Sequence, residues 1–99
     1  MELGVFYDDQ EYMDLIWIPE CIISNIDFIQ KEFLKWMFNK EINHKYWVVK
    51  DNCKLYCVYG TDAFVEYINM NEIIYTDEKA RVLEYDCSVS KKVKKIIYF

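Results

Sequence analysis

The chain has 99 residues and a formal net charge of -5, and 54 % of its residues are apolar and 18 % aromatic. This apolar content is far above that of disordered chains, and two glycines and one proline leave little room for linkers. We therefore expect one folded domain with a single core. Charged residues divide its most hydrophobic third, so no stretch reaches the roughly 18 apolar residues of a membrane span.

The first residues of the chain and its cysteines are considered for what they indicate about the cellular compartment of the protein. Residues 1–9 contain acids and no lysine or arginine, unlike the basic start of a secretory signal, so we expect a cytoplasmic protein. Free thiols are the default in that reducing compartment. Cys53 and Cys57 are spaced more widely than the CxxC pair of a zinc site, and His44 is the only histidine, so no metal or cofactor is expected.

The first half of the chain contains the clearest sequence patterns for secondary structure. Residues 13–18 have apolar side chains on both faces of an extended chain, which predicts a well-covered strand that ends at Pro19. Residues 25–39 predict a helix, because apolar residues recur at helical spacing and Ser24 with Asp27 resembles a capping box. The expected core face of this helix comprises Ile26, Ile29, Phe33, Trp36 and Met37.

The second half combines strands with a short helix. Residues 45–50 and 54–59 are β-branched and aromatic runs on either side of a polar turn, which predicts a β-hairpin. Residues 61–70 predict a second helix, which Thr61 can cap. The later predicted strands are residues 72–76, 80–87 and 92–99.

The order of these elements favours the α+β class. We expect a single domain over residues 1–99 in which two helices pack on an antiparallel or mixed sheet. One alternative stays open, because Asp77 and Glu78 could begin a helix that runs through Leu83.

The sequence contains no recognisable catalytic constellation, so an enzyme is not expected. His44 is the only histidine that could activate a nucleophile, and no serine or cysteine stands at a spacing that ties it to that role. We expect His44 to pack or cap at the junction between helix and strand. Asp8 and Asp9 are typical of a charged surface, and two glycines cannot form a phosphate-binding loop.

Negative charge is concentrated in two regions. Residues 1–20 hold six acids and no base, and residues 61–86 hold seven acids against Lys79 and Arg81. Charge of this sign repels phosphate, which disfavours direct nucleic-acid binding and favours a basic protein partner.

Aromatic residues leave a sheet-based RNA-binding protein as an alternative. Its stacking residues would be Tyr46, Trp47, Tyr56 and Tyr59. The lysines of residues 91–95 would supply its positive charge. Core packing of the aromatics and protection of an edge strand by the lysines explain the same residues, and the net negative charge favours this second explanation.

Three segments resemble a known class of protein. They are Trp36-Met37-Phe38-Asn39-Lys40, Asn43-His44-Lys45-Tyr46-Trp47 and Ala63-Phe64-Val65-Glu66-Tyr67-Ile68-Asn69. Together they resemble small immunity proteins of bacterial toxin systems, particularly those of contact-dependent growth inhibition. The resemblance implies that a neighbouring gene encodes a toxin, often a nuclease. It also implies that this chain binds the toxin in the cytosol and covers its active site or substrate surface.

The resemblance carries over no binding residues, so candidates come from charge and residue type. We expect acids to steer a basic nuclease toward the chain and exposed tyrosines to anchor it. The candidate acids are Asp8, Asp9, Glu11, Asp14, Glu66, Glu72, Asp77 and Glu78, and the candidate tyrosines are Tyr7, Tyr12, Tyr67 and Tyr75. A phage or plasmid regulatory protein that binds a host protein is a further alternative, and the oligomeric state stays open.

Overall fold

The computed structural model describes residues 1–6, 12–71, 78–88, 93 and 95–99. Its elements in chain order are β1 (Glu2–Phe6), β2 (Tyr12–Trp17), a 3₁₀ helix (Glu20–Asn25), α1 (Ile26–Met37), β3 (Trp47–Lys50), β4 (Cys53–Cys57), α2 (Thr61–Asn71), β5 (Arg81–Ser88) and β6 (Ile96–Tyr98). The strands form a four-stranded sheet in the order β5-β2-β1-β6 and a separate hairpin of β3 and β4. The predicted α+β class is confirmed.

The four-stranded sheet is mixed. β2 pairs antiparallel with β1 on one side and with β5 on the other, and β6 pairs parallel with the far edge of β1. β2 corresponds to the predicted strand 13–18, and residues 13–16 are buried on both faces, as expected. The sequence does not anticipate β1, because its five residues include Gly4 and lack a long β-branched or aromatic run.

Gly4 allows residues near β6 to approach the sheet closely on the face away from the helices. Its N–H donates to Lys95 O at 2.9 Å. A Cβ at this position would lie 2.9 Å from Met13 Sδ, 3.1 Å from Ile96 Cγ1 and 3.3 Å from Val93 Cγ2, which is too close for a side chain to fit without displacing its neighbours. The buried residues on this face are Met13, Leu15 and Cys87.

The main core lies between the opposite face of the sheet and the two helices. Phe33 of α1 is fully buried at its centre. Its ring meets four others edge to face, with centroids 5.2 to 5.8 Å apart: Tyr59, Phe64, Tyr67 and Phe99. The predicted core face of α1 is confirmed, although Trp36 is only partly buried.

Two local predictions are wrong. Ser24 belongs to the 3₁₀ helix before α1, and Asn25 takes the N-cap position without a side-chain hydrogen bond, so there is no capping box. The alternative helix through Leu83 is also wrong where the structure describes it, because residues 81–83 belong to β5, which pairs with β2.

The remaining predicted elements agree with the structure where it describes them. α1, the β3–β4 hairpin, α2 and β5 begin and end within two residues of their predicted bounds. The predicted strand 72–76 lies outside the described residues, and the described strand within residues 92–99 is Ile96–Tyr98. Neither described helix is long and apolar enough to cross a membrane.

Candidate functional site

The candidate binding residues fall into three groups. Those outside the described residues are Asp8, Asp9, Glu11, Glu72, Asp77, Tyr7 and Tyr75. Asp14 and Tyr67 are buried. The candidates at least partly exposed are Glu66, Glu78 and Tyr12.

Asp14 is an internal hydrogen-bond acceptor, which corrects the expectation of a surface charge at this position. Only 7 % of the residue is exposed. Its carboxylate accepts the hydroxyl of Thr61 at the start of α2 and, at 3.0 Å, the N–H of Asp86 in β5. Asp86 has a left-handed backbone, with φ of 54°, beside an irregularity in the β2–β5 register. The carboxylate thus stabilises a bulge and ties α2 to the sheet.

Tyr67 belongs to the aromatic core, which corrects the expectation of an exposed anchor. The residue is 8 % exposed, and its ring centroid lies 5.5 Å from that of Phe33 and 5.4 Å from that of Trp36. The helical position explains the difference, since Tyr67 lies three residues after Phe64 on the core-facing side of α2.

Glu66, the next residue back on α2, is partly exposed and is held by two residues just before β3. The Tyr46 hydroxyl donates to Glu66 Oε2 at 2.6 Å, and Lys45 Nζ lies 2.9 Å from the same oxygen. The Tyr46 hydrogen bond is the main cause of a lowered pKa at Glu66, with Lys45 adding to it. Burial, followed by the Glu66 hydrogen bond and charge, raises the pKa of Tyr46 well above its ordinary value. The pair at neutral pH is therefore a carboxylate and a neutral phenol.

Asp62 makes a similar contact one helical turn earlier. The hydroxyl of Tyr85, on β5, donates to Asp62 Oδ1, and this hydrogen bond is the main cause of a raised pKa at Tyr85. Tyr85 remains 54 % exposed, and Leu83, two residues before it on β5, is exposed as well. The sequence does not single out either member of this pair, because their contact depends on how α2 packs against β5.

We call Asp62, Glu66, Tyr46 and Tyr85 the acid–tyrosine surface. Residues four apart lie on the same side of a helix, so Asp62 and Glu66 share a face of α2. The negative charge of Asp62 also contributes to raising the pKa of Tyr46, as expected for neighbouring groups. Among the described residues no donor reaches Asp62 Oδ2 or Glu66 Oε1, so each carboxylate keeps one oxygen for a partner. β5, which carries Tyr85, is an edge of the described sheet.

A second exposed surface lies on the β3–β4 hairpin. Its turn residues Asp51 and Asn52 have φ of 53° and 64°, as a type I′ turn requires, and Asp and Asn tolerate that backbone. Val48 pairs directly with Tyr56, so both point to the same side, and Val58 follows Tyr56 by two residues. Tyr56 is 57 % exposed and Val58 62 %. We call Val48, Tyr56 and Val58 the hairpin outer face.

The opposite side of the hairpin is bonded to the chain between α1 and β3. Trp47 Nε1 donates to Ile42 O at 2.9 Å, and Lys54 Nζ donates to the same oxygen at 3.3 Å. Cys57 Sγ lies 3.1 Å from Met37 O, at the end of α1. Among the described residues, these side-chain contacts join the inner side of the hairpin to the end of α1 and the segment that follows it.

His44 packs at the junction between α1 and β3, as predicted. Its Nε2 lies 2.7 Å from Met37 O, and its Nδ1 accepts the N–H of Tyr46 at 3.2 Å. A ring with its proton on Nε2 satisfies both contacts. The ring also stacks on Trp47, with centroids 5.5 Å apart and planes 6° apart, and lies against Trp36. Both nitrogens are thus engaged in local structure.

Neither thiols nor metal-binding groups form a site in the described part of the chain. All four cysteines are free: Cys21 and Cys53 are exposed, Cys57 is partly buried and Cys87 is buried. No three His, Cys, Asp or Glu side chains among the described residues come together in a way that could hold a metal ion.

The four aromatics considered for RNA stacking do not form one platform. Tyr46 is bonded to Glu66, and Trp47 lies on the inner side of the hairpin. Tyr59 packs against the core ring of Phe33. Tyr56 alone is on the outer face.

No protein-family model, curated protein or solved structure matches the chain. The residues that could bind a partner are therefore identified from the geometry of the chain itself.

Proposed function

We propose that the chain is a cytoplasmic immunity protein that binds and neutralises a cognate bacterial toxin. The toxin is a nuclease with a basic substrate cleft, and the chain covers its active site or substrate surface. The chain works by binding and carries out no reaction of its own. The observation that supports this function is the acid–tyrosine surface, in which two carboxylates on one face of α2 are each hydrogen-bonded to a tyrosine.

The chemistry of this surface suits a basic target. A nuclease carries lysine and arginine where it holds phosphate, and those groups attract ionised carboxylates over distances of about 8 Å at physiological salt. The lowered pKa of Glu66 keeps it ionised at neutral pH. No donor in the described part of the chain occupies Asp62 Oδ2 or Glu66 Oε1, so each oxygen can accept a charge-assisted hydrogen bond from the target.

The tyrosines add contact area to the charge. Tyrosine is enriched among residues that dominate binding energy, because its ring buries a large apolar area and its hydroxyl remains bonded. Tyr85 is half-exposed beside Asp62 and next to the apolar side chain of Leu83. An acidic surface with such anchors both attracts a basic protein and holds it after contact.

Growth rescue tests the proposal. The neighbouring reading frame is examined for a large exported protein, and its C-terminal domain is expressed with and without the chain. We expect the domain to stop growth and the chain to restore it. Replacing Asp62 by Asn together with Glu66 by Gln should weaken rescue, whereas Glu2→Gln with Glu20→Gln, which removes the same charge from exposed acids elsewhere, should not.

Failure of rescue by the unmodified chain, with both proteins present at comparable amounts, would contradict the proposal. Equal rescue by both double variants would leave immunity standing and remove the acid–tyrosine surface from it. Tight retention of the chain on RNA at physiological salt would favour the RNA-binding alternative instead.

A further inference from the structure

We propose that His44 is a positioning residue for the acid–tyrosine surface: it fixes the backbone of Tyr46, so that the phenol holds Glu66 in the orientation that binds the toxin. His44 acts through Tyr46 and is not itself a member of the surface. The proposal rests on the proposed function, because it concerns the same surface. Its first test nevertheless uses the free chain and needs no toxin.

His44 is fixed against the end of α1 by its ring and by one nitrogen. With its proton on Nε2, the imidazole donates to Met37 O at 2.7 Å. The ring packs against two indoles, with centroids 4.6 Å from Trp36 and 5.5 Å from Trp47. The second ring nitrogen, Nδ1, is thus an acceptor whose position is set by α1 and the start of β3.

The backbone of Tyr46 is bonded on both sides. Its N–H donates to His44 Nδ1 at 3.2 Å, and its carbonyl accepts the N–H of Val58 at 2.9 Å. The second bond joins Tyr46 to the hairpin, whereas the first joins it to the helix end through the imidazole. Together they fix the point from which the tyrosine side chain projects toward α2.

The position of Tyr46 decides the orientation of Glu66. The phenol donates to Glu66 Oε2 at 2.6 Å, and Lys45 Nζ lies 2.9 Å from the same oxygen and 5.4 Å from the centre of the Tyr46 ring. A partly exposed glutamate otherwise samples several rotamers, and restricting it costs entropy when a partner binds. Contacts made within the free chain remove that cost before the toxin arrives.

Loss of positioning should differ from loss of charge. A variant at His44 keeps both carboxylates of the surface, Asp62 and Glu66, so the attraction that steers a basic toxin remains. It loses the single orientation of Glu66, which the complex must then restore. We therefore expect a dissociation rate about three- to tenfold higher and an association rate changed by less than about twofold.

The ionisation of Tyr46 in the free chain reports its position. His44→Phe keeps a ring beside the two indoles and removes both nitrogen contacts, so the pKa of Tyr46 should fall toward the ordinary tyrosine value of about 10. Cys57→Ala is the control, because it removes a different contact to the same carbonyl at the end of α1 and leaves the Tyr46 N–H bonded. NMR of isotope-labelled tyrosine at about pH 11 measures the ionised fraction. Circular dichroism at that pH confirms that each variant is folded.

A second pair of variants separates the acceptor from the packing of the ring. An asparagine side chain can accept the N–H two residues further on, which at this position is that of Tyr46. His44→Asn should therefore keep the pKa of Tyr46 higher than His44→Ala does, although both lose the aromatic ring. An unchanged pKa of Tyr46 in folded His44→Phe would overturn the proposal, as would equal values in the asparagine and alanine variants.

Binding kinetics with the C-terminal domain of the neighbouring reading frame complete the test. His44→Phe should speed dissociation and leave association nearly unchanged, and His44→Asn should lie closer to the unmodified chain. A complex whose dissociation rate is the same with His44→Phe would overturn the role of His44 alone. Absence of a complex with the unmodified chain would instead refute the proposed function, so the two failures are distinguishable.

Discussion

The body of the protein, which is the four-stranded sheet with its two α-helices, differs from the β3–β4 hairpin in how far its apolar side chains are buried. In the body, Phe33 and Phe64 are fully buried, and polar atoms such as the Asp14 carboxylate are bonded inside. In the hairpin, Tyr56 and Val58 are exposed on the outer face, while Trp47 and Cys57 on the inner side are bonded to backbone carbonyls. Among the described residues, the body therefore buries its largest apolar side chains, whereas the hairpin leaves Tyr56 and Val58 uncovered.

The two exposed surfaces also differ in charge. The acid–tyrosine surface carries the carboxylates of Asp62 and Glu66, whereas the hairpin outer face of Val48, Tyr56 and Val58 carries no charged side chain. A charged surface and an uncharged one on the same small domain suit different partners. The difference directs the basic toxin of the proposed function to the acid–tyrosine surface.

The largest expected effect on the free energy of unfolding comes from removing the side chain at the centre of the core. Phe33→Ala removes the ring that four other aromatics meet edge to face and should lower the free energy of unfolding by about 3 to 5 kcal/mol. Tyr56→Ala removes an aromatic ring of similar size from the hairpin outer face, and it should change the free energy by less than about 1 kcal/mol in the monomer. Urea unfolding at low protein concentration measures both. Similar losses for the two variants would refute the contrast between body and hairpin.

Asp14→Ala should have the next largest effect. It leaves the Thr61 hydroxyl and the Asp86 N–H without their acceptor, at a cost of about 2 to 4 kcal/mol. Asp27→Ala removes an exposed carboxylate paired with Lys95 at 3.3 Å and should cost less than about 1 kcal/mol. Urea unfolding measures both variants. Equal losses in the free energy of unfolding for Asp14→Ala and Asp27→Ala would mean that Asp14 is an ordinary surface acid.

Gly4→Ala should destabilise the protein by about 1 to 3 kcal/mol, because its Cβ would crowd Ile96 and Val93. Gly60→Ala is the matched control. No atom lies within 4 Å of a Cβ built there, and its φ is not positive, so the change should be neutral or stabilise by up to about 1 kcal/mol. A harmless Gly4→Ala would show that residues near β6 do not pack against β1 as described.

The smallest effect is a pH dependence at the acid–tyrosine surface. The pKa of Tyr46 is raised in the folded protein, so its stabilising contribution is fully present below the ordinary tyrosine pKa of about 10 and is lost as pH rises through the folded value. Tyr46→Phe should therefore cost about 1 kcal/mol near neutral pH, and the difference from the unmodified chain should shrink above about pH 10. Urea unfolding across that pH range measures it. A constant difference would mean that the Glu66 contact is absent.

Sequence patterns predicted the elements whose signals are local. Apolar residues at helical spacing placed α1, and Asp51-Asn52 between two β-branched and aromatic runs placed the hairpin. β1 could not be predicted in this way, because Gly4 matters through its contacts with Val93, Lys95 and Ile96, which are distant in the chain.

The candidate binding residues show the same limit of prediction from local sequence patterns. Residue type and charge pointed to Glu66, which is partly exposed, but also to Asp14 and Tyr67, which are buried. An acid on a strand and a tyrosine on a helix point inward or outward according to the packing of other elements. The pairing of Asp62 with Tyr85 joins residues 23 positions apart and follows from the contact between α2 and β5.

Binding kinetics with the purified C-terminal domain encoded by the neighbouring reading frame tests the central claim most directly, which is that the chain acts by placing acidic groups against a basic protein. We predict a complex whose association rate falls about tenfold or more between about 50 mM and 500 mM salt, and falls similarly when Asp62→Asn and Glu66→Gln are combined at low salt. Absence of a complex, or association that ignores both salt and these two carboxylates, would contradict it.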